Sequence, residues 1–242
     1  MSLKLILLVL LAAAVLYVAY HAAQIYRHVK ISAKLVEAAR PFAVERGEGS
    51  PRLLVVGDST AVGVGASSPA HTTSGYFAAD YPDYSVTNLA KSGATVADAL
   101  TQIRATSSAY TAVLIQAGGN DTIRFADLAQ LRADYQALLS EAKARSGKVV
   151  ALSTGNVGKA PLFNFFPLNY IYGARTRAVR AVFVDEAAKA GVAYVDLYKE
   201  GKSDAISQDP ARHYAADGLH LSDAGWAVWY RDIKTAFDKL PD

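Results

Sequence analysis

Four short blocks hold the residues best equipped for chemistry. Gly57-Asp58-Ser59-Thr60 carries a hydroxyl, and Asn88-Leu89-Ala90-Lys91-Ser92-Gly93 ends on a lone glycine. Gly118-Gly119-Asn120-Asp121 carries an amide beside a carboxylate, and Asp217-Gly218-Leu219-His220 sets a carboxylate three residues before an imidazole. Each block also has a plain structural use. A serine after a strand caps a helix, and a Gly-Asp pair makes a turn. Gly93 alone marks a turn, and the Gly-Gly-Asn-Asp block fits an ordinary glycine-rich loop. Asn120-Asp121-Thr122 matches the N-glycosylation acceptor pattern as well. The two uses of Asn120 exclude each other, because a glycan would bury the amide that catalysis needs. Asp217 and His220 also read as a fragment of a metal site, but a catalytic metal wants three protein ligands. Only His71 and His213 remain in the globular part, so no metal and no cofactor is expected.

Composition removes other classes. The chain has 242 residues and no cysteine, which rules out thiol nucleophiles, thiolate metal sites and disulfide frameworks. Its net charge of +3 comes from the N-terminal region, where six Lys/Arg face three Glu before residue 50; the remainder is balanced. No basic face follows residue 50, so nucleic acid is not an expected partner. Arg175, Arg177 and Arg180 are expected on the solvated side of a helix.

Apolar runs alternating with helical periodicity must position the four blocks. Strands are predicted at Leu53–Val56, Ser85–Leu89, Ala112–Gln116, Val149–Leu152 and Val192–Leu197. Helices are predicted over Thr95–Thr106, through Leu128, Leu131, Tyr135 and Leu138, and through Val179, Val182, Phe183 and Ala187. A final amphipathic helix carries Trp226, Trp229, Ile233, Phe237 and Leu240, capped by Ser222 or Asp223. Strands that are nearly continuous in apolar residues, with helices between them, imply a parallel sheet covered on both faces. The expected fold class is therefore α/β, a three-layer α/β/α sandwich with a parallel five-stranded sheet. In such sheets ligands bind beyond the carboxyl ends of the strands, where all four blocks fall.

The first residues differ from the rest. Leu5 to Tyr20 contains no charge, and the apolar character continues to Tyr26. As a helix this stretch is roughly 30 Å long, enough to span a bilayer. An uncleaved anchor is favoured over a signal peptide because the small-residue cleavage pattern is poor. The expected organisation is a membrane anchor over 1–26, a juxtamembrane helix and linker over 27–51 with Pro41 ending the helix, and a globular domain over 52–242. The lysines and arginines after the span favour a cytoplasmic body by the positive-inside rule. Both sides of the membrane stay open in this expectation: cytoplasmic by that rule, secreted or periplasmic if the segment is cleaved.

Blocks in this order resemble the SGNH hydrolase superfamily of GDSL esterases and lipases, over about residues 52 to 240. The resemblance implies a flavodoxin-like sandwich and an ester hydrolase. It makes Ser59 the nucleophile, His220 the general base and Asp217 the group that orients the imidazole. It also implies an oxyanion hole from the backbone amides of Ser59 and Gly93 and the side-chain amide of Asn120. Thr60 stands where the family often has Leu or Ile, and Leu221 where Pro is common. The chemistry suits these groups. A serine hydroxyl requires a base as it attacks, and donors fixed around the developing oxyanion stabilise the transition state by roughly 3 kcal/mol each. Asp58 is expected to anchor the turn rather than to react.

The expected substrate is a small-molecule or lipid-like acyl ester. Leu162, Phe163, Phe165, Phe166, Tyr170 and Tyr172 crowd one loop, which has three uses open to it: an acyl pocket, a contact with the membrane, or a fold back onto the core. Two other functions fit the same residues. One is an acyltransferase using the same acyl-enzyme, and the other is a noncatalytic flavodoxin-like binding module.

Overall fold

The computed structural model describes residues 2–241. Five parallel strands form one sheet in the order β2-β1-β3-β4-β5, with β1 at Arg52–Gly57, β2 at Ser85–Asn88, β3 at Ala112–Gln116, β4 at Lys148–Leu152 and β5 at Ala193–Val195. Side chains alternate across each strand. Leu53, Val55 and Leu114 therefore enter one apolar cluster, while Leu54, Val56, Val113 and Ile115 enter another on the opposite face. Both faces are covered, and the expected three-layer sandwich is the observed one.

Helices complete the two outer layers. On the first face lie α3 (Thr73–Asp80) and α10 (Asp223–Phe237), which bury Phe77, Trp226 and Ile233. On the second lie α4 (Val96–Arg104), α6 (Leu128–Arg145) and α7 (Leu168–Ala190), which bury Ile103, Tyr135, Leu138 and Phe183. Short helices fill the strand ends: α2 (Ser59–Val62), α5 (Gly119–Ile123), α8 (Ala205–Gln208) and α9 (Pro210–His213). Ser222 caps α10 by accepting from the Gly225 amide.

Three elements depart from the sequence expectations. The last strand is shorter than its apolar run, because only Ala193, Tyr194 and Val195 pair with β4. Helix α3 has no counterpart among the predicted elements, since its Thr-Ser-Gly start has low helix propensity; the Thr72 cap and burial of Phe77 compensate. The three arginines of α7 are engaged with protein groups rather than simply solvated. Arg180 Nε donates to both oxygens of Asp196 at 2.9 and 3.0 Å, Arg177 bonds the Tyr198 hydroxyl, and Arg175 donates to the Ala126 carbonyl.

Helix α1 runs unbroken from Leu3 to Ala38. Its most apolar stretch has a mean hydropathy of 2.5 and contains no fully buried residue, so it is long and apolar enough to cross a membrane, a property that a signal sequence shares. It continues past residue 26 and ends at Ala38, three residues before Pro41. The segment after it returns to the domain: Val44 exchanges two backbone hydrogen bonds with Val86, and Leu35, Ala39 and Phe42 pack on the first cluster.

Candidate active site

The end of β1 is built so that Ser59 leaves the sheet at a sharp angle. Gly57 has a φ of 147°, and a Cβ there would lie 1.8 Å from the Gln116 carbonyl oxygen on β3. Only glycine permits that approach. Gln102 of α4 closes the same point, accepting from the Gly57 amide at 2.8 Å and donating to its carbonyl at 3.0 Å. Asp58 then caps α2. One of its oxygens accepts from the Thr60 amide at 2.8 Å and the Thr60 hydroxyl at 2.7 Å, and the other accepts from the Gly119 amide at 3.2 Å. Asp58 therefore ties the Ser59 turn to the loop after β3, the anchoring geometry expected for it. Thr60 supplies a hydroxyl that the aliphatic residue common at that position cannot.

His220 reaches Ser59 from the far end of the sequence. Its Nε2 lies 3.0 Å from Ser59 Oγ, and its Nδ1 lies 2.6 Å from Asp217 Oδ2. The other Asp217 oxygen accepts from the Leu219 and His220 amides, both at 3.0 Å. An ionised carboxylate only accepts, so Nδ1 carries the proton and Nε2 accepts from the serine hydroxyl. Burial works to raise the Asp217 carboxyl, but the His220 hydrogen bond and charge, with the two amides, hold it down at about 2. Gly218 turns the loop with a φ of 64°. Leu221, after the histidine, is buried in the first cluster, which gives this departure from the usual proline a packing role.

The other two blocks converge on the same place. Gly93 and Asn120 line one cavity with Ser59 and His220, of about 350 Å³. Asn120 Nδ2 donates to the Ala94 carbonyl at 3.0 Å, which fixes the amide between the β2 and β3 loops and leaves its second N–H uncommitted. Among the described residues, the backbone amides of Ser59 and Gly93 donate to no protein acceptor. Three uncommitted donors thus border the cavity. Asn120 faces this interior and is followed by buried Asp121 and Thr122, an unsuitable setting for a glycan acceptor.

Several contributors were not singled out from sequence. Asp121 Oδ2 accepts from the Val96 amide at the start of α4, and burial pushes its carboxyl up to about 6 against that bond. Asp58 is raised for the same reason, against its bonds to Thr60 and Gly119. Gln102 lies far along the chain in an amphipathic helix, where nothing in its neighbours marks it. Ser32 and Val36 of α1 also line the cavity, although they belong to the stretch read as a juxtamembrane helix.

The sequence profile of the GDSL-like lipase/acylhydrolase family matches residues 55–228. No curated protein matches the chain. Solved structures do. TesA is similar at 24% identity over 78% of this chain and 99% of its own, with a TM-score of 0.60. An extracellular lipase from Streptomyces rimosus is 20% identical over 77% of this chain and all of its own, at 0.59. Axe2, an acetylxylan esterase from Geobacillus stearothermophilus, is 21% identical over 80% and 96%, at 0.56. Fold and family together define a hydrolase acting on ester bonds. The chain belongs to the GDSL-like lipase/acylhydrolase family.

Proposed function

We propose that the protein cleaves carboxylic esters through an acyl-enzyme on Ser59. The observation that carries this reading is the continuous hydrogen-bonded line from Ser59 Oγ through His220 to Asp217, 3.0 Å and 2.6 Å long in its two links. Ser59 Oγ attacks the ester carbonyl carbon as its proton passes to His220 Nε2, and Asp217 stabilises the imidazolium. The carbonyl oxygen becomes an oxyanion among the Ser59 and Gly93 amides and Asn120 Nδ2. Their freedom from other acceptors supports this role, because such donors need no reorganisation when charge develops. Collapse breaks the ester C–O bond, and His220 returns the proton to the departing alcohol. Water repeats the sequence in reverse sense: His220 takes its proton, its oxygen attacks the acyl carbon, and Ser59 leaves with the proton restored.

The three donors, the base and the nucleophile share one cavity, which a noncatalytic binding module has no need of. The substrate is an acyl ester, and α1 holds the enzyme at a membrane as a single N-terminal span.

The test uses a water-soluble short-chain aryl ester. Ser59→Ala and His220→Ala are each expected to lower turnover by at least about a thousandfold with an unchanged circular dichroism spectrum. A fluorophosphonate probe is expected to label the wild type at Ser59 and to leave Ser59→Ala unmodified. Full activity in either variant would overturn the assignment.

A further inference from the structure

The apolar loop after β4 has two fates. Leu162 and Phe163 fold inward and join a third apolar cluster with Val157, packed against Ile25, Ile123 and Leu219. Phe166, Tyr170 and Ile171 point outward, at 67%, 70% and 43% exposure. Three large apolar side chains left together in water at the start of α7 need a covering.

What lies beside them identifies it. The Tyr17 hydroxyl of α1 donates to the Phe166 carbonyl at 2.7 Å, and His21 stacks on Phe165 with ring centroids 3.8 Å apart. Both α1 residues lie inside the stretch from Leu5 to Tyr26 that contains no Asp, Glu, Lys or Arg. At 1.5 Å per residue that stretch is roughly 33 Å long, the full hydrocarbon thickness, so a loop fixed to His21 and Tyr17 lies inside the hydrocarbon, roughly 8 to 14 Å in from the span's Tyr26 end. Tyr26 is exposed at the end of the span, where interfacial aromatics sit.

The same face of α1 leads to the catalytic residues. Tyr17, His21, Ile25, His28, Ser32 and Val36 recur at helical spacing. Ile25 meets the third cluster, His28 lies over Gly218, and Ser32 and Val36 wall the cavity. Ile123, Val157 and Leu219 belong to both the cluster and the cavity lining. An apolar seam therefore runs beside α1 from the exposed rim to Ser59.

We propose that Phe166, Tyr170 and Ile171 seat in the bilayer that α1 crosses, and that the seam admits the acyl chain of a membrane-resident ester to Ser59. The enzyme then takes amphipathic acyl esters from the lipid phase rather than from water. This rests on the assignment of Ser59 as nucleophile, but its tests read separately.

The chain has no cysteine, so single cysteines at Phe166→Cys and Tyr170→Cys can carry an NBD fluorophore on the full-length protein in phosphatidylcholine vesicles. Spin-labelled phosphatidylcholine is expected to quench both, and to leave a fluorophore at Ser107→Cys, on the opposite rim of the sheet, unquenched. Equal quenching at all three positions, or none at 166 and 170, overturns the seating. The triple variant Phe166→Ser, Tyr170→Ser, Ile171→Ser is expected to hydrolyse a water-soluble short-chain ester within about twofold of wild type. It is expected to lose at least about tenfold on a long-chain fluorogenic ester embedded in the vesicles. An unchanged rate on the embedded ester, or equal losses on both, overturns the admission route. A Ser59→Ala protein that still turns over the soluble ester would instead refute the catalytic assignment, and the quenching result would stand by itself.

Discussion

Asp121 shows how the site charges the fold for its geometry. Its carboxyl is pushed up to about 6 by burial, helped by the nearby Asp58 charge, even though it accepts from the Val96 amide. The folded protein thus holds this proton more tightly than the unfolded chain does. The resulting stability is fully present below about pH 4, the unfolded value, and is lost as pH rises through 6. Asp58 acts in the same direction, whereas Asp217, held near 2, contributes stability that is present above pH 4 and lost as pH falls toward 2. Asp121→Asn keeps an acceptor for Val96 and removes the charge. Relative to wild type it is expected to gain up to about 3 kcal/mol at pH 8 and little at pH 4.5, read from urea midpoints. An equal difference at both pH values would contradict this account. At this scale the residue types of the proposed triad were legible, because hydroxyl, imidazole and carboxylate stand out in Ser59, His220 and Asp217. Gln102 was not, since a glutamine on a helix acquires meaning only from the Gly57 backbone that it brackets.

Ser59, Gly93 and Asn120 each follow the end of a strand, whereas Asp217 and His220 sit on the loop between α9 and α10. β1 hands over to α2 at Gly57, where the strand passes so close to Gln116 that no side chain fits. Gly57→Ala is expected to force β1 and β3 apart at the end that carries Ser59. A loss of at least about 3 kcal/mol in denaturant unfolding is predicted, together with loss of ester hydrolysis. A variant that retains wild-type stability would show that the strand end yields more readily than the contact implies. Strands with continuous apolar runs were legible from periodicity, and β3 was read to the residue. α3 was hidden because its stability comes from Phe77 against α10 and from a threonine cap rather than from helix-forming residues.

For the whole molecule, α1 has two jobs divided along its length. The part before Arg27 is apolar and touches the domain only through the loop after β4 and the third cluster, while Ser32, Leu35 and Val36 touch the cavity or the first cluster. Removing residues 1–26 is expected to release a soluble protein with short-chain ester turnover within about threefold of wild type. Removing residues 1–39 is expected to open the cavity and to cost about 2 kcal/mol of stability, with turnover down at least about fivefold. Thermal melting and the soluble-ester assay distinguish the two truncations. Equal behaviour would mean that the second half of α1 contributes nothing beyond tethering.

The sequence by itself determined the class of sheet, the four chemical blocks and an N-terminal segment apolar enough to span a membrane, because these depend on local pattern: runs, periods and residue types. Only the tertiary structure decided that Asp58 joins two loops, that one aromatic loop divides between core and surface, and that the membrane-type helix walls the cavity lined by Ser59 and His220. Those are contacts between segments distant along the chain. They arise when burial of the two sheet faces brings strand ends together, and no local period records them.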